Sequence, residues 1–89
     1  MTEIYLDSML GRFVPNRRLR STATTVGGLI DDLETRYPQL RNRLRDETRG
    51  IRPFVKVFVN GEEIPHSDGA ALPLKPRDEV EILHSIQGG

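Results

Sequence analysis

At 89 residues the chain is one domain at most, and surface scaling buries about 64% of the unfolded surface at this size, enough for one thin core but not for a two-lobed enzyme with an enclosed cleft. The absence of Cys excludes disulfide frameworks, thiolate zinc sites, iron–sulfur clusters and Cys nucleophiles together. Thirteen Lys and Arg balance thirteen Asp and Glu, so no whole-molecule attraction to nucleic acid or to anionic membranes is expected.

The balance is uneven along the chain: residues 1–52 hold ten Arg against seven acids, whereas residues 53–89 hold three bases against six acids. Met1-Thr2-Glu3-Ile4 has no basic stretch followed by an apolar run, and no apolar run is long enough to span a bilayer. The expectation is a cytoplasmic protein without signal peptide or membrane span.

In chain order, Glu3-Ile4-Tyr5-Leu6-Asp7 alternates with period two, predicting a strand with Ile4 and Leu6 inward. Gly11 and Pro15-Asn16 predict a turn, and Arg18-Leu19-Arg20-Ser21 a short return strand. Thr24 or Thr25 is placed to cap a helix whose Val26, Leu29, Ile30, Leu33 and Tyr37 form one apolar stripe. Gly27-Gly28 lowers helix propensity by roughly 1 kcal/mol per residue relative to Ala, which points to a close packing approach there. Pro38 closes the helix or starts another, and Leu40 and Leu44 predict one or two further turns before the Asp46–Gly50 loop.

Phe54-Val55-Lys56-Val57-Phe58-Val59 is the strongest strand signal and runs into Asn60-Gly61, the favoured pair of a type I′ hairpin turn, with Glu62-Glu63-Ile64 returning. Pro65 to Gly69 reads as loop, Leu72-Pro73-Leu74 as an edge strand or a single helical turn, and Lys75-Pro76-Arg77-Asp78 as a turn. Glu79 to His84 is the last strand. To be covered by the single long helix it must insert beside the first strand, giving an α+β fold with a mixed sheet and one main helix on one face.

Parity assigns the faces. With Val55, Val57 and Val59 inward, Phe54, Lys56 and Phe58 point outward, as do Leu83 and Tyr5, while Val80 and Ile82 point in. Phe58, Leu83 and Tyr5, with Ile86 beyond the last strand, are the candidate partner-binding residues, because a shared apolar patch marks protein docking. His66 and His84 lack a third ligand at metal spacing, so no metal site is expected. Ser21, Ser67 and Ser85 have no base in a recognisable order, and Gly27-Gly28 lacks the Lys and Ser/Thr of a phosphate loop. The Arg17-Arg18-Leu19-Arg20 group and Arg41, Arg43, Arg45 and Arg49 read as solvated faces.

Gly88-Gly89 closes the sequence one step beyond a core strand. Together with Val57-Phe58-Val59-Asn60-Gly61-Glu62 and Asp78-Glu79-Val80-Glu81-Ile82-Leu83, it makes essentially the whole chain resemble the ThiS/MoaD family of ubiquitin-like sulfur carriers. The resemblance implies a β-grasp domain over residues 1–87 and a flexible diglycine tail at 88–89. It departs from the family at His84-Ser85, where many relatives have Pro-Pro, and at Arg77, where Gly is common. The long Gln39–Arg52 stretch favours the molybdopterin or cysteine-synthesis types over the thiamine type.

The resemblance also implies a chemistry. An adenylyltransferase of the ubiquitin-activating type would convert the Gly89 carboxylate to an acyl-adenylate, with ATP bound by that partner and no cofactor on this chain. Sulfur would displace AMP to leave a thiocarboxylate for a sulfur-acceptor synthase. Gly88 and Gly89 would thread both partner sites, since glycine lets backbone approach closely. The chain is then a protein cosubstrate, or the small subunit of a sulfur-transfer complex, rather than an enzyme. The alternative is a modifier conjugated through Gly89 to target lysines; a β-grasp binding module with an accidental diglycine comes third. Because the acidic half carries the tail, a basic receiving surface on the activating enzyme is expected.

Overall fold

The computed structural model describes residues 1–45, 50–66 and 69–84. Five strands, β1 (Thr2–Leu6), β2 (Arg18–Ser21), β3 (Val55–Val59), β4 (Glu62–Glu63) and β5 (Glu79–His84), form one sheet in the order β2-β1-β5-β3-β4. β1 and β5 are parallel and the other neighbours antiparallel, so the last strand does insert beside the first. The register aligns Ile4, Val80 and Val59 in one inward row and Leu6, Ile82 and Val57 in the next.

Helix α2 (Val26–Arg36) closes the core over these rows. Its Val26, Leu29, Ile30 and Leu33 are buried in the same cluster as Ile4, Val57, Val80 and Ile82. Thr25 is the cap: its hydroxyl accepts from the Gly28 N–H at 3.0 Å. A Cβ on Gly27 would stand 3.0 Å from the Ala70 carbonyl oxygen, so this glycine admits the 3₁₀ turn Gly69–Ala71 against the helix. The Val26 N–H donates to the Leu72 carbonyl at 3.0 Å, and the Leu74 N–H to the Thr24 carbonyl at 2.8 Å. These two bonds pair Pro73 with Thr25 in an isolated antiparallel bridge, so the Leu72–Leu74 stretch is a strap across the helix start.

Asn60 and Gly61 have φ of 52° and 86°, the paired positive values of a type I′ turn. The Asn60 amide also donates to Asp78 at 2.9 Å and accepts from the Glu79 N–H at 3.0 Å, which ties the hairpin to the start of β5.

Three expectations change. The segment after β1 is not only a turn but holds a one-turn helix, α1 (Ser8–Gly11), because Asp7, the last residue of the alternating pattern, caps it. Phe54 precedes β3 and packs against the core rather than facing out with Phe58. Arg45 is not on a solvated face: at 5% exposure it lies against Glu34, itself 9% exposed, with a hydrogen bond of 2.6 Å, and also reaches Asp31. Burial works against the guanidinium charge, but the hydrogen bonds to Glu34 and then Asp31 outweigh it and hold the group above its ordinary value.

Candidate functional site

The end of the sheet from which residues 85–89 continue is built where β1 and β5 finish side by side. Parallel pairing brings Asp7, the residue after β1, to the last residue of β5. The two oxygens of Asp7 then hold two different elements: one accepts from the Leu10 N–H at 2.8 Å and starts α1, the other accepts from the His84 N–H at 2.7 Å. One carboxylate therefore fixes both a helix start and the end of the last strand. Charge-assisted bonds of this kind are roughly twice as strong as neutral ones. Sequence reading passed over Asp7, although an acid directly before Ser8-Met9-Leu10 is a helix-capping signal.

His84 lies opposite Val55 in the register and its ring meets Phe54 at 5.1 Å between centroids. A cavity of about 380 Å³ opens beside them, bordered by Leu10, Phe13, Arg12, Arg43 and Arg52. The surroundings of the strand end are thus basic, contrary to the linear division of charge. All three arginines belong to the first 52 residues, and the fold carries them to the end of a strand from the acidic half.

On the opposite face of the sheet, the register places Tyr5, Glu81 and Phe58 in one row, with Leu83 one step along and opposite Lys56. Tyr5, Phe58 and Leu83 therefore share a face, as parity predicts, and each is half-buried. They do not make a continuous apolar surface: Glu81 separates the two rings, Arg18 covers Tyr5 at 5.4 Å, and Phe58 pairs with Glu63, which reaches Lys56 at 3.4 Å. Tyr5 and Leu83 line a shared depression of about 450 Å³ together with Arg17 and Arg18. Ile86, Gly88 and Gly89 lie outside the described residues.

Of the remaining candidates, Arg49, Ser67 and Ser85 lie outside the described residues, whereas His66 and Ser21 have structural partners. The His66 Nε2 is 2.8 Å from the Val55 carbonyl, which only accepts, so that nitrogen donates. Ser21 donates to Asp32 at 2.7 Å, but the same carboxylate is held by Arg36 and no imidazole joins the pair. Among the described residues no group of three His, Cys, Asp or Glu is placed to hold a metal ion, and no helix is long and apolar enough to cross a membrane.

Comparison with known proteins agrees with this architecture. The model of the ThiS family matches residues 13–89. Sulfur carrier protein CysO of Mycobacterium tuberculosis (strain ATCC 25618 / H37Rv) is 32% identical over 75 residues, covering 82% of this chain and 81% of that protein. Small archaeal modifier protein 3 of Haloferax volcanii is 37% identical over 65 residues, covering 73% and 70% respectively. Among solved structures, a chain of the Amycolatopsis orientalis BexX/CysO complex superposes with a TM-score of 0.88 at 27% identity, covering 100% of both chains.

Proposed function

The chain belongs to the ThiS family, and from that premise we propose that it is a sulfur carrier whose Gly89 carboxylate is the point of attachment. The observation that carries this is the 32% identity to a sulfur carrier across four-fifths of both chains, with the family match running through to Gly89. The chain resembles proteins that are carriers rather than catalysts, and the chemistry is assigned to partner enzymes.

In the proposed cycle the Gly89 carboxylate attacks the α-phosphorus of ATP held by a ubiquitin-activating-type adenylyltransferase, releasing pyrophosphate and forming an acyl-adenylate. Sulfide then attacks the acyl carbon and AMP leaves with the acyl C–O bond electrons, giving the thiocarboxylate directly. Transfer of that sulfur to the acceptor, with water supplying the replacement oxygen, restores the carboxylate. This chain contributes the narrow glycine end and a rigid domain behind it, while the partner supplies ATP binding. The Amycolatopsis structure is of a BexX/CysO complex, which supports a carrier that docks on a partner protein. The acceptor belongs to either molybdenum cofactor or cysteine synthesis.

The 37% identity to an archaeal modifier protein favours a second use of the same activated tail, conjugation to lysines of other proteins. Intact-mass measurement after co-expression with an adenylyltransferase and a sulfur donor separates the two. A gain of one oxygen-for-sulfur exchange, absent when Gly88-Gly89 is deleted, supports the carrier. Lysine-linked adducts support the modifier, and an unchanged mass in both proteins rejects both.

A further inference from the structure

The cavity beside His84 is more elaborately built than an exit point for the tail requires. The Arg43 guanidinium lies 4.0 Å from the centre of the Phe13 ring, and that of Arg52 lies 5.9 Å from the centre of the Phe54 ring, both within cation–π range. Among the described residues each is anchored at one nitrogen: the Arg43 Nε donates to the Gln39 carbonyl at 2.8 Å and the Arg52 Nε to the Asn42 carbonyl at 2.7 Å. A ring contact and one backbone bond hold each group, while their terminal nitrogens have no partner among the described residues. No carboxylate among those residues lies within ion-pair distance of Arg12, Arg43 or Arg52. A guanidinium held at one nitrogen, with its outer nitrogens unpartnered among the described residues, is suited to bidentate capture of a carboxylate. The rings of Phe13 and Phe54 line the same cavity and offer a surface on which an apolar side chain can pack.

We propose that this groove docks an acidic segment of the enzyme that receives the tail, with neighbouring carboxylates on Arg43 and Arg52, a third charge near Arg12 and an apolar side chain between them. The assignment of the partner rests on the carrier function proposed above; the groove's preference for acidic peptide rests on the geometry alone. A protein segment fits better than the chain's own terminal carboxylate, which brings one negative charge to three guanidinium groups. The consequence reverses the expectation from linear charge: the receiving enzyme presents acid, not base, beside the mouth of its tail channel.

Isotope-labelled full-length protein is titrated with a synthetic Glu-Asp-Leu-Glu-Asp peptide and, separately, with its Lys-for-acid counterpart, and followed by amide NMR. The acidic peptide is expected to shift Phe13, Arg43, Arg52, Phe54 and His84 to saturation, the basic one not at all, with binding weakening as salt rises. Arg43→Glu/Arg52→Glu is expected to bind at least about tenfold more weakly, as befits loss of two charge-assisted contacts. Arg43→Gln, which keeps a polar side chain, serves as a second and milder variant with an intermediate loss. Absent binding, shifts elsewhere on the surface, or equal affinity in the variants overturns the proposal. So does a Gly88-Gly89 deletion that by itself moves the same signals as the peptide, since the groove would then be filled by its own tail. A negative titration alongside sulfur exchange at Gly89 removes the groove and leaves the carrier; the opposite pair of results removes the carrier and leaves an acidic-peptide site.

Discussion

Replacing Asp7 by Ala tests how the end of the sheet is held. The substitution removes two hydrogen bonds made by one carboxylate, to the Leu10 N–H at 2.8 Å and to the His84 N–H at 2.7 Å. Loss of a helix cap costs about 1 kcal/mol. The bond from the His84 backbone N–H goes to a charged acceptor and is part-buried, and its removal leaves that donor unsatisfied, which adds about 2 kcal/mol. The expected destabilisation is about 3 kcal/mol, equivalent at this size to a fall in Tm of roughly 12 to 24 °C. Asp7→Asn keeps one acceptor oxygen and presents its NH₂ to the other donor, so it should lose about half as much. Urea unfolding at neutral pH gives both values, and hydrogen exchange at the His84 amide reports the local half of the effect. The reasoning fails if Asp7→Ala lies within about 0.5 kcal/mol of the parent, the range of ordinary surface substitutions, or if Asn is as damaging as Ala.

Arg45→Met alone strands the 9%-exposed Glu34 and should cost about 3–5 kcal/mol in denaturant unfolding, whereas adding Glu34→Leu should restore most of the loss, because the pair's desolvation disappears with it. Phe58→Ser should lower the rate of thiocarboxylate formation about tenfold, as for an interface anchor. It should also leave the unfolding midpoint nearly unchanged, since the ring faces away from the core; collapse of the fold would contradict that face assignment. The bond from the Lys75 N–H, followed by that from the Asn60 amide, holds the Asp78 carboxyl below its ordinary 3.8. Between that lowered value and 3.8 the unfolded chain binds more protons, so the Asp78 contribution is fully present above 3.8 and is lost as pH falls through the folded value. Stability measured down the acid limb should therefore fall less steeply in Asp78→Asn, and an unchanged slope would exclude the effect.

What the amino-acid order determined by itself is the set of features written in neighbouring residues. The alternation around Ile4 and Leu6, the stripe from Val26 to Leu33, a threonine cap at position 24 or 25 and the Asn60-Gly61 turn are each written within a few positions, and the structure keeps all of them, with Thr25 as the cap. Parity also placed Tyr5, Phe58 and Leu83 on one face, and the diglycine with its adjoining strand pointed to the family. Tertiary structure alone decided who meets across the chain. Asp7 binds His84 across 77 positions, Arg45 finds Glu34 across 11, and Glu81 comes between two rings expected to share an apolar patch. Periodicity states which way a side chain points, not what the opposite element brings to it. Charge is the clearest instance: counted along the chain the tail emerges from an acidic half, but the parallel insertion of β5 beside β1 sets its root among arginines from the other half.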